Sequence, residues 1–118
     1  MKVLLIEDNI ETAEALGMLI GQCGHEARAA TSAAEALTLA KEWEPDIVFL
    51  DIGLPEMDGY LLANLLRAEG LTKAKIVALS GYRPDESRLN SLDIDAYLLK
   101  PVRLEVLLHH LEAPAQAK

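Results

Sequence analysis

The chain reads as a doubly wound α/β domain with a parallel sheet, and two observations predict it. Four short apolar runs, Val3–Ile6, Ile47–Leu50, Ile76–Leu79 and Ala96–Leu99, are continuous rather than alternating, the pattern of strands buried on both faces. Between them lie segments whose apolar residues recur at helical spacing. A strand followed by a helix, five times over, gives a (βα)5 domain, and right-handed crossovers put helices on both faces of the sheet.

Taken in order, Val3–Ile6 is the first strand, and Ile10, Ala13, Leu16, Ile20 and Cys23 share one face of the first helix. Glu26–Ala30 is poorer in apolar residues, which suits a strand at a sheet edge. Ser32 and Glu35 form a capping box that opens a second helix carrying Ala33, Ala36, Leu37 and Ala40. Trp43 packs at the end of that helix. The third helix is marked by Leu62, Leu65 and Leu66, and the fifth by Leu104, Leu107, Leu108 and Leu111. The fourth is expected to be short. Pro84 suits its first position, Asp85 and Glu86 its first turn, and Asn90 its left-handed stop. It then runs from about Pro84 to Leu89, roughly two turns, leaving Leu92 and Ile94 to cover the core. The domain spans 1–112, and 113–118 read as a flexible tail.

Length and composition bound the function. One domain accounts for 118 residues. Apolar residues make up 51% of the chain while only five residues are aromatic, so the core is aliphatic. The net charge of −8 argues against direct contact with nucleic acid or an anionic membrane, both of which need clustered Lys and Arg. No apolar run approaches membrane-spanning length, and the apolar start is too short for a signal peptide. A lone cysteine, Cys23, excludes an internal disulfide and fits a reducing, cytoplasmic setting. Its place in an apolar helical pattern suggests buried filler.

Ligands of open parallel sheets bind at the carboxyl ends of the strands. The residues at those ends are Glu7 and Asp8 after the first run, Asp51 after Ile47–Leu50, Ser80 after Ile76–Leu79 and Lys100 after Ala96–Leu99. Each alone would be a solvated loop residue or cap; their joint placement on one rim is a constellation. Three crowded carboxylates need a cation, and hard oxygen donors without His or Cys suit Mg²⁺ or Mn²⁺ rather than Zn²⁺. Mg²⁺ usually takes one or two carboxylates plus phosphate oxygens, which leaves one carboxylate free as a nucleophile for phosphoryl transfer. Lys100 can meet the phosphoryl charge and Ser80 can hydrogen-bond one of its oxygens. His25, His109 and His110 do not sit with this set.

The segments LLIEDN at 4–9, DIVFLDIGLPEMDGY at 46–60, IVALSGY at 76–82 and YLLKP at 97–101 resemble, in this order and spacing, a bacterial response-regulator receiver domain from Val3 to Leu111. The SGY and DIGLPEMDGY pieces look similar to receivers attached to sensor kinases. The resemblance implies a flavodoxin-like five-stranded sheet of order 2-1-3-4-5. It implies Asp51 as phosphoacceptor, and Glu7 and Asp8 as the acidic pair, with Asp8 the more direct metal ligand. The Gly53 backbone carbonyl completes the metal site, Ser80 and Tyr97 are switch residues, and Lys100, followed by a cis Lys100–Pro101 peptide, contacts the phosphoryl group. It further implies a histidine kinase or His-phosphotransfer protein as donor, a downstream protein target, and catalysis of the domain's own phosphorylation and dephosphorylation.

Three rival readings compete with this one. An aspartate-nucleophile phosphatase needs a second Asp two residues on, where this chain has Gly53. A nucleotide-binding domain needs a Gly-rich turn after the first strand, where this chain has Glu7-Asp8-Asn9. A degenerate receiver, acting by phosphorylation-independent protein contact, is disfavoured because every matching functional position is intact. The chain departs from the family in the interval from Ser80 to Lys100, which is slightly short and contains no Gly after Gly81. Pro55 and Gly59 read as loop punctuation.

Overall fold

The computed structural model describes residues 1–54, 57–71, 73–81 and 93–112. Five strands, β1 (Lys2–Ile6), β2 (Glu26–Ala30), β3 (Ile47–Asp51), β4 (Lys75–Ser80) and β5 (Ala96–Leu99), form one sheet in the order β2-β1-β3-β4-β5. Every pairing is parallel. The described helices are α1 (Ile10–Gln22), α2 (Ala33–Trp43), α3 (Gly59–Ala68) and α4 (Leu104–Glu112). The fold class and the edge position of Glu26–Ala30 are as the sequence predicts, and the strand order is the one the resemblance implies.

The inner strands β1, β3 and β4 alternate between two apolar layers, which is why their sequences look continuous rather than amphipathic. The continuous run of β5 predicts burial on both faces, but β5 is instead the second edge of the sheet. It is only partly buried, with Leu99 50% exposed, because among the described residues no further strand covers it. Leu4, Ile6, Val48, Leu50, Ile76 and Ala78 face one layer with Ala36 and Ala40 of α2 and Leu62 and Leu66 of α3. Val3, Leu5, Ile47, Phe49, Val77 and Leu79 face the other with Ile20 of α1 and Leu107 and Leu111 of α4. Each fully buried side chain of this size contributes about 1.5–3 kcal/mol, so the two layers position the rim of the sheet rigidly.

The helix starts follow their caps. Asn9 accepts from the Thr12 N–H at 2.9 Å to open α1, Ser32 from Glu35 at 3.2 Å to open α2, and Asp58 from Tyr60 at 2.9 Å to open α3. The box at α2 is displaced by one residue: the Glu35 carboxylate reaches the Thr31 N–H at 2.8 Å. The α2 helix stops at Glu44, which takes the left-handed conformation with φ 53°.

The apolar face that periodicity predicts for the first helix is too long at both ends. Ala13 and Ile20 are buried, but Ile10 is 57% exposed and Cys23, beyond the last turn of α1, is exposed rather than core filler. Gly59, expected as loop punctuation, is instead the buried first residue of α3. The short helix expected over Pro84 to Leu89, its Asn90 stop, Leu92, Pro55 and the tail at 113–118 lie outside the described residues. Ile94 is described and is buried in the first layer. Among the described residues no helix is long and apolar enough to cross a membrane.

Candidate functional site

Parallel strands end together, so the residues that close β1, β3, β4 and β5 share the C-terminal rim of the sheet. Asp51 is the last residue of β3 and pairs in register with Leu79. Its side chain is the buried charged group among the described residues, with the residue 5% exposed. Burial of a carboxylate is costly unless its oxygens are met, and both are. The Gly53 N–H donates to Asp51 Oδ1 at 2.9 Å, and Lys100 Nζ lies 3.1 Å from Asp51 Oδ2.

Glu7 comes directly after β1, and Asp8 is the next residue. One carboxylate oxygen from each of Glu7, Asp8 and Asp51 lies within 4.8 Å of the others. Glu7 Oε1 stands 3.8 Å from Lys100 Nζ, and Glu7 Oε2 accepts from the Asn9 N–H at 3.1 Å. Burial pushes the Glu7 carboxyl above its ordinary range, and the Asp51 charge adds to the rise, while the Asn9 hydrogen bond and Lys100 oppose it. Sequence reasoning does not single out Asn9. It both caps α1 and holds Glu7, and its legible signal is an Asn immediately before an apolar helical run.

Ser80 closes β4, and its carbonyl accepts from the Lys100 N–H at 2.8 Å, so β4 carries Lys100 to the rim. The Lys100–Pro101 peptide is cis. Gly53 is exposed beside Asp51. Tyr97 lies on β5, half-buried against the first core layer, with its ring centroid 6.3 Å from that of Tyr60. The structure therefore brings Glu7, Asp8, Asp51, Gly53 and Lys100 into one cluster, and sets Ser80 on the same rim with Tyr97 three residues before Lys100. The described residues place no His or Cys with the acidic group, and its donors are all oxygen, the set expected for a hard divalent cation.

Comparison with known proteins agrees with this geometry. The model of the response regulator receiver domain matches residues 3–112. The chain is 33% identical to the polar-differentiation response regulator DivK of Brucella ovis over 103 residues, covering 85% of this chain and 84% of that protein. It is 30% identical over 117 residues to the sensor histidine kinase RcsC of Salmonella typhimurium, covering 98% of this chain but 12% of the kinase. Among solved structures, a CheY-like receiver domain from Methylobacillus flagellatus superposes with a TM-score of 0.86 at 30% identity, covering 96% of this chain and 97% of that one. A response regulator protein from Burkholderia pseudomallei, solved with a phosphorylated aspartic acid, calcium ion and citrate, superposes with a TM-score of 0.83 at 28% identity. It is covered over 68% of its length by 98% of this chain. With a family model matched across nearly the whole chain and two kinds of bacterial signalling protein similar to it, the chain belongs to the response regulator receiver domain family.

Proposed function

We propose that this receiver takes a phosphoryl group onto Asp51 from a histidine kinase or His-phosphotransfer protein, with Mg²⁺ or Mn²⁺ in the acidic pocket. The phosphorylated state then alters a surface read by a downstream protein in the cytoplasm. The observation that carries this reading is the setting of Asp51: a buried carboxylate at a strand end, sharing its pocket with two further acids and one lysine. A structural ion pair would need one acid for Lys100. The phosphorylated aspartic acid of the Burkholderia pseudomallei relative supports the same chemistry.

Glu7, Asp8 and Asp51 fit a hard cation, and in this reading the Gly53 carbonyl completes its site. When bound, the cation supplies positive charge to the pocket and to the oxygens of the incoming group. The chain's own groups do the rest. An Asp51 carboxylate oxygen attacks phosphorus while the bond to the donor nitrogen breaks and its electron pair stays with the donor imidazole. The Gly53 N–H fixes the carboxylate plane. Lys100, now 3.1 Å from Asp51, follows the negative charge outward onto the phosphoryl oxygens, and the Ser80 hydroxyl donates to one of them. Drawing Ser80 inward opens space toward which Tyr97 turns, a population shift between two packings rather than a new fold. The same pocket, admitting water, accounts for hydrolysis of the aspartyl phosphate.

Incubation with acetyl phosphate and Mg²⁺, read by intact mass, tests the reading. The parent gains one phosphoryl mass and Asp51→Asn gains none; a phosphorylated Asp51→Asn protein would overturn it.

A further inference from the structure

Gly59 occupies a position that backbone freedom does not explain. Among the described residues positive φ is confined to Gly24, Gly70 and Glu44, so Gly59 could carry a side chain as far as its own backbone is concerned. Glycine is otherwise a costly residue within a helix. A neighbour excludes the side chain. A Cβ on Gly59 would lie 2.6 Å from the Ile52 Cα, 2.9 Å from its Cδ1 and 3.1 Å from its carbonyl oxygen. The shortest of these is to backbone, which no change of rotamer relieves.

Ile52 is held on both sides. Its N–H donates to the Leu79 carbonyl at 2.9 Å, and its own carbonyl accepts from the Gly59 N–H at 3.3 Å. The next amide in the chain is that of Gly53, which donates to Asp51 Oδ1. The start of α3 thus stands directly behind the peptide that orients the Asp51 carboxylate.

We propose that Gly59 is a positioning residue for Asp51: its missing side chain lets α3 abut Ile52, which aims the Gly53 amide at Oδ1 and leaves Oδ2 toward Lys100 and the incoming group. Its consequence for phosphorylation rests on the phosphoacceptor reading; its consequence for the Gly53–Asp51 hydrogen bond does not.

The test compares the full chain with Gly59→Ala, Ile52→Ala, the double variant and Asp58→Ala. Three readouts are taken: the Gly53 amide resonance without metal, Mg²⁺ affinity, and the rate of phosphorylation by acetyl phosphate at saturating Mg²⁺. In Gly59→Ala the Gly53 amide moves toward its open-chain position, while amides of β1 and α1 stay in place. Mg²⁺ affinity and the rate each fall on the order of tenfold, as for other groups that orient a ligand from behind. Ile52→Ala does not rescue, because the clash with the Ile52 backbone remains. A folded Gly59→Ala with an unmoved Gly53 amide overturns the proposal, and so does restoration in the double variant, which would assign the clash to side-chain packing. Should Gly59→Ala not fold, Asp58→Ala decides. It removes the cap of α3 without adding an atom, and is expected to shift all three readouts in the same directions by a smaller factor; an unmoved Gly53 amide there overturns the proposal. A parent that gains no phosphoryl group sinks the phosphoacceptor reading instead, and the Gly53 amide still decides the role of Gly59.

Discussion

At the N-terminal edge of the sheet, the charged side chains are met by backbone groups, an aromatic ring and one ion pair. Asp46 accepts from the Lys2 backbone N–H at 2.7 Å, and Lys2 Nζ donates to the Trp43 carbonyl at 3.2 Å. The Arg28 guanidinium stacks 4.7 Å over the Trp43 ring. Arg67, on the last turn of α3, donates to the carbonyls of Asp93, Leu71 and Ala74 and to the Asp95 carboxylate. At the C-terminal edge three acids crowd together, Glu7, Asp8 and Asp51, and among the described residues Lys100 is the cation that reaches them, at Asp51 and Glu7. The first edge is built for stability. The second holds like charges together at a cost, which is the expected signature of a site that awaits a charged ligand.

The comparison breaks most sharply at Asp51. Asp51→Asn removes the nucleophile, so the gain of mass from acetyl phosphate is lost altogether, while nothing at the opposite edge changes. Asp8→Asn is the next largest effect. It lowers Mg²⁺ affinity on the order of 10–100-fold. It also raises the melting temperature of the metal-free protein, because one of three crowded charges is gone. Calorimetric titration and thermal melts with and without Mg²⁺ check both halves. Unchanged Mg²⁺ affinity in Asp8→Asn would mean that the acidic rim is not a cation pocket.

The opposite edge answers differently. The Arg67 side chain is 16% exposed and joins α3 to the segments before β4 and β5. Arg67→Ala leaves the carbonyls of Leu71 and Ala74 and the Asp95 carboxylate without this donor, at about 2–4 kcal/mol. The loss appears as a lower urea midpoint with an unchanged slope, and phosphorylation by acetyl phosphate proceeds at the parental rate below the unfolding range. A full loss of phosphorylation with intact folding would show that the two edges are not separable.

The same contrast explains how much the sequence discloses. The strands β1, β3 and β4 are legible because burial on both faces writes an unbroken apolar run. The β5 strand carries such a run although it lies at the sheet edge with Leu99 exposed. The rim residues are legible because each stands immediately after such a run. Glu7, Asp8, Asp51 and Lys100 can therefore be placed together before any coordinates. Periodicity misplaces Cys23 because helical spacing alone carries no signal for where α1 stops, and the turn after Gln22 removes it from the buried face. Ile10 fits the period of that face but stands in the first turn at the rim, where it is left 57% exposed. Arg67 and Gly59 escape for a different reason. One acts through carbonyls, which every residue has. The other acts by lacking a side chain next to Ile52, seven positions earlier, and only the packed loop reveals that neighbour.

The smallest expected effect sharpens the comparison at the well-matched edge, where one pairing depends on pH. His110 on α4 lies with its Nδ1 2.9 Å from Lys75 Nζ at the start of β4. The lysine donates, so the neutral ring accepts at Nδ1 and carries its proton on Nε2. Burial pushes the imidazole below its ordinary value of 6.5, and the charges of Lys75 and His109 push it the same way. The folded state thus prefers the neutral ring. Above pH 6.5 the ring is neutral in both states and stability is unaffected. As pH falls from 6.5 toward the folded value, the unfolded chain takes up a proton that the native state refuses, and stability declines. Below the folded value both states are protonated and the loss is constant. Glu7 works in the opposite sense: its raised value means that stability improves as pH falls through that value toward 4.5. Urea midpoints of the parent and His110→Gln, measured from pH 8 to 5.5, separate the two. The parent loses stability on acidification relative to His110→Gln, and Lys75→Met, which removes one of the opposing charges, reduces that loss. Parallel profiles for parent and His110→Gln would show that His110 takes up its proton equally in the folded and unfolded states.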